Sequence, residues 1–146
     1  MSDTFTVYLR NDEQILLMQR ADEVADFAGA WDGIYGIGDP TDIDVVIARI
    51  TESTGIPADQ LEYVRSGDAR GLAFGNRLND VTPLLFLSGT NEVTPKTLYK
   101  GFEWVDPGTI RQKEYATPKL REMYGDVASY LYILKTSIGQ EQNVAR

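Results

Sequence analysis

The chain has 146 residues, of which 42% are hydrophobic and 25% are charged, and this is enough for one domain with a buried core. It contains no cysteine and no histidine, which excludes disulfides, thiolate and imidazole metal sites, cysteine nucleophiles and histidine acid–base chemistry. The net charge of -8 argues against a nucleic-acid partner, because phosphates require a basic surface.

The acidity has two interpretations. The Asp-rich, Lys-poor balance is typical of a generally acidic surface and resembles that of proteins adapted to high salt. An acidic active surface is the alternative. No apolar run approaches the roughly 20 residues that span a membrane, and the first residues lack the basic and apolar blocks of a secretory signal. We therefore expect a soluble, cytoplasmic protein with no membrane partner; the sequence leaves a homo-oligomer open.

The first forty residues have the pattern of strands and tight turns. Residues 4–10 alternate and are rich in β-branched and aromatic residues, Asn11-Asp12 is a turn pair, and residues 14–20 form a second strand. This predicts a β-hairpin. A loop over residues 21–30 then leads to a glycine-rich strand within residues 31–40.

The next segment predicts an amphipathic helix from Thr41 to Thr54. Thr41 can cap the first turn and Asp44 can reach back to it, while Gly55 and Pro57 end the helix. One face of this helix is apolar at helical spacing, and it is formed by Ile43, Val46, Ile47, Ile50 and Thr54.

Three further strands and a second helix complete the predicted order. The strands cover residues 61–66, 82–88 and 101–105, with a polar loop over 67–80 and Pro83 near the start of its strand. A helix opens at Thr117-Pro118, and its apolar stripe consists of Leu120, Met123, Tyr124, Val127, Leu131 and Leu134. This order predicts a single α/β domain of the α+β kind over residues 1–146, with a mixed sheet between helices and a polar tail.

The glycine-rich segment and its helix resemble the Nudix hydrolases. The family's box has Gly, five residues, Glu, seven residues, then Arg-Glu-apolar-x-Glu-Glu-x-Gly-apolar, and residues 48–56 read Ala-Arg-Ile-Thr-Glu-Ser-Thr-Gly-Ile. The Leu-Met-Gln-Arg strand end, Gly29-x-Trp31 and the Phe-Glu-Trp-Val at 102–105 are also similar to the family's framework. The resemblance covers about residues 4 to 135 and implies the Nudix fold, a mixed sheet sandwiched between helices.

The carboxylates of the box are mostly missing. In the family, Glu residues at i, i+3 and i+4 share a divalent cation that binds pyrophosphate and activates water. At the matching positions this chain has Arg49, Glu52 and Ser53, and Ala48 replaces the family's Arg. Asp39 is the nearest substitute for the upstream Glu. The resemblance thus predicts Glu52 as the catalytic candidate, Glu52 and Asp39 as metal ligands, and Mg or Mn as a cofactor that the missing carboxylates argue against.

The resemblance also indicates residues that would bind a substrate. Arg49 and Glu52 are either an ordinary surface ion pair or part of a cleft. The glycines before the helix are either turn formers or a place for backbone donors to meet an anion. Arg20 either contacts a phosphate or is a surface charge. Trp31 and Trp104 either belong to the core or stack on a ligand. The predicted substrate-binding residues are Arg49, Ser53, Gly36, Gly38 and Arg20.

Two functional hypotheses follow. The first is a Nudix domain with weak or no hydrolase activity that binds a small phosphorylated or nucleotide-type ligand, such as a nucleoside diphosphate-linked compound, or a protein partner. The alternative is an active pyrophosphohydrolase with altered metal ligands, in which Glu52 acts with Asp39 or with an acid near Asp68 or Asp80. The Nudix-related isopentenyl isomerases are excluded, because they need a catalytic cysteine.

Overall fold

The computed structural model describes residues 3–23, 28–74, 77–96 and 98–107, together with Tyr124 and Val127. Its elements are β1 (Asp3–Asn11), β2 (Gln14–Arg20), β3 (Trp31–Asp32), β4 (Ile34–Ile37), α1 (Ile43–Thr54), a 3₁₀ turn (Ala58–Gln60), β5 (Leu61–Ser66), β6 (Arg70–Phe74), β7 (Arg77–Ser88) and β8 (Tyr99–Val105). Within these ranges, no helix is long and apolar enough to cross a bilayer.

The strands form one mixed sheet, which confirms the predicted α+β class. Its main path is β3-β2-β1-β7-β5, with β1 and β7 parallel and the other pairs antiparallel. β1 and β2 form the predicted hairpin, but they share only the pairs Arg10–Ile15 and Asn11–Gln14. Beyond these pairs the hairpin opens. β3 pairs with β2 and β4 pairs with β1, so the glycine-rich segment lies in the fork of the hairpin.

The sheet buries apolar side chains on both faces. Successive residues of β1 point to opposite faces, so this strand contributes to both cores. Phe5, Val7 and Leu9 belong to the core beneath α1. Tyr8 belongs to the core on the other face, where it meets the edge of the Tyr124 ring at 5.6 Å between centroids. Tyr124 is helical and buried, in agreement with the predicted second helix. The rest of that helix lies outside the described residues, apart from Val127 in the same core.

The apolar face predicted for α1 is confirmed. Val46 and Ile50 are fully buried, and Ile43 and Ile47 pack against the same core while partly buried. Gly55 ends the helix in the left-handed conformation, with φ of 77°, as its position predicted.

The predicted helix start is one residue early. Asp42, and not Thr41, is the N-cap, and its carboxylate accepts the Val45 N–H at 3.4 Å. Thr41 instead donates its N–H and its hydroxyl to the carboxylate of Asp39. Thr41 therefore precedes the cap, and its hydroxyl bonds Asp39 instead of the first turn of α1.

The polar loop predicted over residues 67–80 is wrong, since β6 pairs there with the first half of β7. β7 is therefore 12 residues long and Pro83 lies near its middle. The proline is tolerated because the β5 pairing ends at Leu84 and the β6 pairing begins at Val81. At Pro83 itself the described pairing is with Thr6 of β1 alone, and its carbonyl accepts the Gly67 N–H.

Candidate functional site

The aliphatic part of the Arg49 side chain packs against β4 at Gly36. A Cβ added at Gly36 would lie 2.9 Å from Cγ of Arg49 and still closer to the ring of Phe5. Both distances are shorter than side chains tolerate, so only glycine lets the stem of Arg49 pass between the helix and the strand. The two halves of the predicted box, the glycine-rich strand and the helix, are in contact at this point.

Gly36 contributes space to the site and not a free backbone donor. In β4 the Tyr35 N–H points away from β1, toward the hydroxyl of Tyr99. Since N–H groups alternate along a strand, that of Gly36 points into the ladder with β1. Gly38 has φ of 152°, and a Cβ there would lie 3.0 Å from Cγ1 of Val45. Its lack of a side chain keeps the strand close to the first turn of α1.

Arg49 and Glu52 form an ion pair, with 3.4 Å between Nη1 and Oε2. The Arg49 side chain is 29% exposed and that of Glu52 is 55% exposed. The surface ion pair considered from the sequence is therefore present, but its arginine is also half-buried against the strand. An exposed i, i+3 pair contributes only a few tenths of a kcal/mol, about 0.3–0.5. A stronger acceptor can therefore take the guanidinium from Glu52.

Ser53 and Asp39 lie apart from this pair. Ser53 is buried, and its carbonyl accepts the Lys96 N–H at 3.0 Å, so the segment Thr94–Lys96 covers this part of α1. Asp39 is exposed at the start of the helix. Hydrogen bonds from the Thr41 backbone and then from its hydroxyl lower the pKa of Asp39 below its ordinary value of 3.8. Ile43 and Glu52 are nine residue steps apart on α1, about 14 Å along the helix axis.

The carboxylates that the structure describes near the box do not fit a divalent cation. Glu52 is the single carboxylate at the three box positions of α1, and it is already paired with a guanidinium. Asp80 lies in β7, on the far side of β1 from β4. Among the residues that the structure describes, no three acidic side chains are placed to hold a metal ion. A magnesium site needs carboxylate oxygens in near-octahedral geometry, which these side chains do not provide.

Arg20 and Asp32 form a second, buried charged pair in the fork. Their side chains are 6% and 0% exposed, and Nη2 lies 3.7 Å from Oδ2. The other carboxylate oxygen accepts the Gly33 N–H at 2.8 Å. The guanidinium carbon of Arg20 also lies 5.8 Å from the centre of the Tyr35 ring. The surface-charge interpretation of Arg20 is therefore wrong, because Asp32 compensates its charge in the interior.

Tyr99 is the part of the site that the sequence did not indicate. Its buried hydroxyl accepts the Tyr35 N–H at 2.8 Å and lies 3.4 Å from the Gly33 carbonyl, to which it donates. Burial, and then the charge of Asp32, raise the pKa of this hydroxyl well above its ordinary value of 10.0. Its residue type carries no motif, and it lies two residues before the strand that the sequence predicted.

The two tryptophans are partly buried, one on each face of the sheet. Trp31 packs against the core that contains Tyr8, and Trp104 packs against the core beneath α1. The indole N–H of Trp104 donates to the Asn91 carbonyl at 2.9 Å. These contacts favour the core interpretation of both residues over a stacking role.

An open groove of about 600 Å³ lies at the other end of α1. Thr54, Gly55, the segment Thr90–Thr94 and Phe102 contribute to its walls. Its lining includes neither Arg49 nor Gly36. It is thus separate from the contact between the two halves of the box.

Solved structures of Nudix proteins have the same fold. A C. elegans Ap4A hydrolase binary complex has a TM-score of 0.71 at 13% identity, covering 90% of this chain and 98% of that chain. The NUDIX domain of Shewanella oneidensis NrtR, complexed with ADP ribose, gives 0.65 at 16% identity, with coverage of 88% and 87%. A Nudix hydrolase from M. smegmatis gives 0.63 at 16% identity, with coverage of 94% and 85%.

No protein-family model matches the sequence, and no curated protein gives a significant match. The structural likeness alone is sufficient for the architecture: the chain has the Nudix hydrolase fold, as its resemblance predicted. Identities this low establish the fold and not the activity.

Proposed function

We propose that this chain is a Nudix-fold domain that binds a nucleoside diphosphate-linked compound through Arg49, with weak or no hydrolase activity. The observation that carries the proposal is the position of Arg49 in the box. Its guanidinium stands on α1 at the place of a family carboxylate, and its stem is held against Gly36. A fixed positive charge there takes the electrostatic place of the cation.

The chemistry of the guanidinium supports an anionic ligand. It is always charged, and its planar donors match phosphate oxygens in pairs. Its present partner, Glu52, is more than half exposed and bonds it at 3.4 Å. A diphosphate could replace this partner at little cost, because exposed ion pairs are weak.

Two of the structural neighbours support the ligand class. One is complexed with ADP ribose and another is an Ap4A hydrolase, and both compounds contain adenosine joined through phosphates. The predicted ligand is therefore a small nucleotide derivative with at least two phosphates. The same comparison favours no particular sugar or second substituent.

Weak hydrolysis follows from the donor set. Attack of water at phosphorus needs a group that activates the water and charge that stabilises the transition state. Arg49 supplies charge, but Glu52 is bound to it and has no second carboxylate beside it on α1. The domain would hold the ligand without efficiently cleaving it.

Calorimetric titration with ADP ribose tests the proposal. Arg49→Ala should weaken binding by about tenfold or more, the effect of losing a charge-assisted hydrogen bond. Glu52→Gln should tighten binding by about twofold, since it removes a competing partner of Arg49. The matched control is the i, i+3 pair Arg10–Glu13, whose atoms lie 3.5 Å apart. Arg10→Ala and Glu13→Gln should leave the affinity unchanged.

The same variants separate binding from hydrolysis. Products are measured by chromatography after incubation with manganese at low and at high salt. A manganese-dependent cleavage that Glu52→Gln abolishes would establish the hydrolase alternative. Equal ADP-ribose affinities for the wild type and Arg49→Ala would refute the proposed binding role of Arg49.

A further inference from the structure

We propose that Tyr99 is a positioning residue for this site, and that its hydroxyl holds β4 where Gly36 receives the stem of Arg49. The proposal rests on the proposed ligand-binding function of Arg49. It adds to that function a residue outside the box, contributed by β8, the last of the described strands.

The first step is the open edge of β4. Among the described strands, β4 pairs with β1 alone, since the hairpin fork keeps β2 away from it. The Tyr35 N–H and the Gly33 carbonyl point to this unpaired edge, and the Tyr99 hydroxyl bonds both of them. The Tyr99 hydroxyl therefore satisfies backbone groups at the edge of β4 that a neighbouring strand would normally pair.

The second step is that Tyr99 itself is fixed. It is 5% exposed and packs in the core beneath α1. Its backbone pairs with Arg20 of β2, and its N–H donates to the Lys96 carbonyl at 3.3 Å. Asp32, which is also buried, accepts the Gly33 N–H. Two buried side chains thus hold the backbone from Gly33 to Tyr35 through hydrogen bonds.

The third step connects this backbone to Arg49. Gly36 follows Tyr35 directly, and the space above it is so small that a Cβ would lie 2.9 Å from Cγ of Arg49. A shift of β4 by a fraction of an ångström therefore changes where the guanidinium can lie. Binding sites depend on such support, because a ligand contact that is misplaced by a small distance is largely lost.

The hydroxyl must be neutral to accept and donate at once. Burial and the negative charge of Asp32 both favour the neutral form, and they outweigh the opposing effects of the Tyr35 N–H bond and of the Arg20 and Arg49 charges.

The test compares Tyr99→Phe with two matched controls. Tyr63→Phe removes another tyrosine hydroxyl, which bonds Ser66 at 2.8 Å on an exposed strand. Ile15→Val destabilises the core on the opposite face of the sheet, away from α1. All variants are studied at a temperature at which circular dichroism shows them folded. The readouts are the affinity for ADP ribose and the ¹⁵N signal of the Arg49 Nε, which is assigned by its loss in Arg49→Ala.

We expect Tyr99→Phe to weaken binding by about tenfold, the upper end of what one neutral hydrogen bond contributes. It should also shift the Arg49 Nε signal and speed exchange of the Tyr35 amide. Both controls should bind like the wild type. An unchanged affinity together with an unchanged Arg49 signal would overturn the proposal. If the wild type binds no ADP ribose, the proposed function fails, and the Arg49 signal of Tyr99→Phe then decides the positioning role alone.

Discussion

Exchange of Asp32 for Asn isolates the contribution of charge in the hairpin fork. The amide is the same size as the carboxylate and keeps an oxygen that can accept the Gly33 N–H. What it loses is the negative charge beside Arg20, whose side chain is only 6% exposed. The Nε of Arg20 already has no hydrogen-bond acceptor among the described residues, so the guanidinium depends on Asp32 for compensation.

Removing one member of a buried ion pair costs about 3–5 kcal/mol, because the other charge stays in the interior. The 3.7 Å separation is long for such a pair, so we expect the lower end, about 3 kcal/mol. For a chain of this size that is a fall in Tm of roughly 6–12 °C. Urea denaturation with a common m-value measures it directly.

A second substitution distinguishes charge from packing. Arg20→Met in the Asp32→Asn background removes the uncompensated cation and keeps most of the apolar stem, so it should restore more than half of the lost free energy of unfolding. A single variant within about 0.5 kcal/mol of the wild type would refute this reasoning, since that is the range of neutral surface changes. So would a double variant that is no more stable than the single one.

Three other predictions follow from the same geometry. Gly36→Ala should lower the free energy of unfolding by about 1–3 kcal/mol in urea, because its Cβ has no room; a neutral result would contradict the close approach of Arg49. The pKa of the Asp39 carboxyl, measured by NMR, should lie below 3.8, and Thr41→Val should raise it part of the way back to that value. The stability that Asp39 contributes should be lost as pH falls through its folded-state pKa. Because the pKa of Tyr99 is raised in the folded state, the free energy of unfolding should fall as pH rises above about 10. In Tyr99→Phe this fall should be shallower, by at most about 1.4 kcal/mol per pH unit. Identical alkaline curves would show that Tyr99 ionises equally in both states.

The parts of the fold that the sequence predicted are those fixed by local geometry. The hairpin follows from Asn11-Asp12 between alternating runs, and α1 follows from its apolar spacing and from Gly55 at its end. The contact of Arg49 with Glu52 is also local, since residues three apart share a helix face. Interpreting the glycines of the box also required the family resemblance, because a glycine by itself does not indicate its role.

The parts that the sequence did not predict depend on contacts between distant segments. β6 is strand because it pairs with β7, although its surroundings are polar and rich in turn residues. Ser53 is buried where Lys96, 43 residues later, bonds the end of α1. Tyr99 reaches Tyr35 across 64 positions, and no property of an isolated tyrosine indicates this. Long-range hydrogen bonds of this kind leave no periodic signal.

The central claim is that Arg49 takes the place of the cation, and the dependence of ligand affinity on metal tests it most directly. The Kd of ADP ribose is measured by calorimetry at constant ionic strength, once with a chelator and once with millimolar magnesium. If Arg49 provides the positive charge, the two values should agree within about twofold, since Glu52 offers a divalent ion a single paired carboxylate. Binding that appears only with magnesium, and that Glu52→Gln abolishes, would contradict the account and restore the metal site to this box.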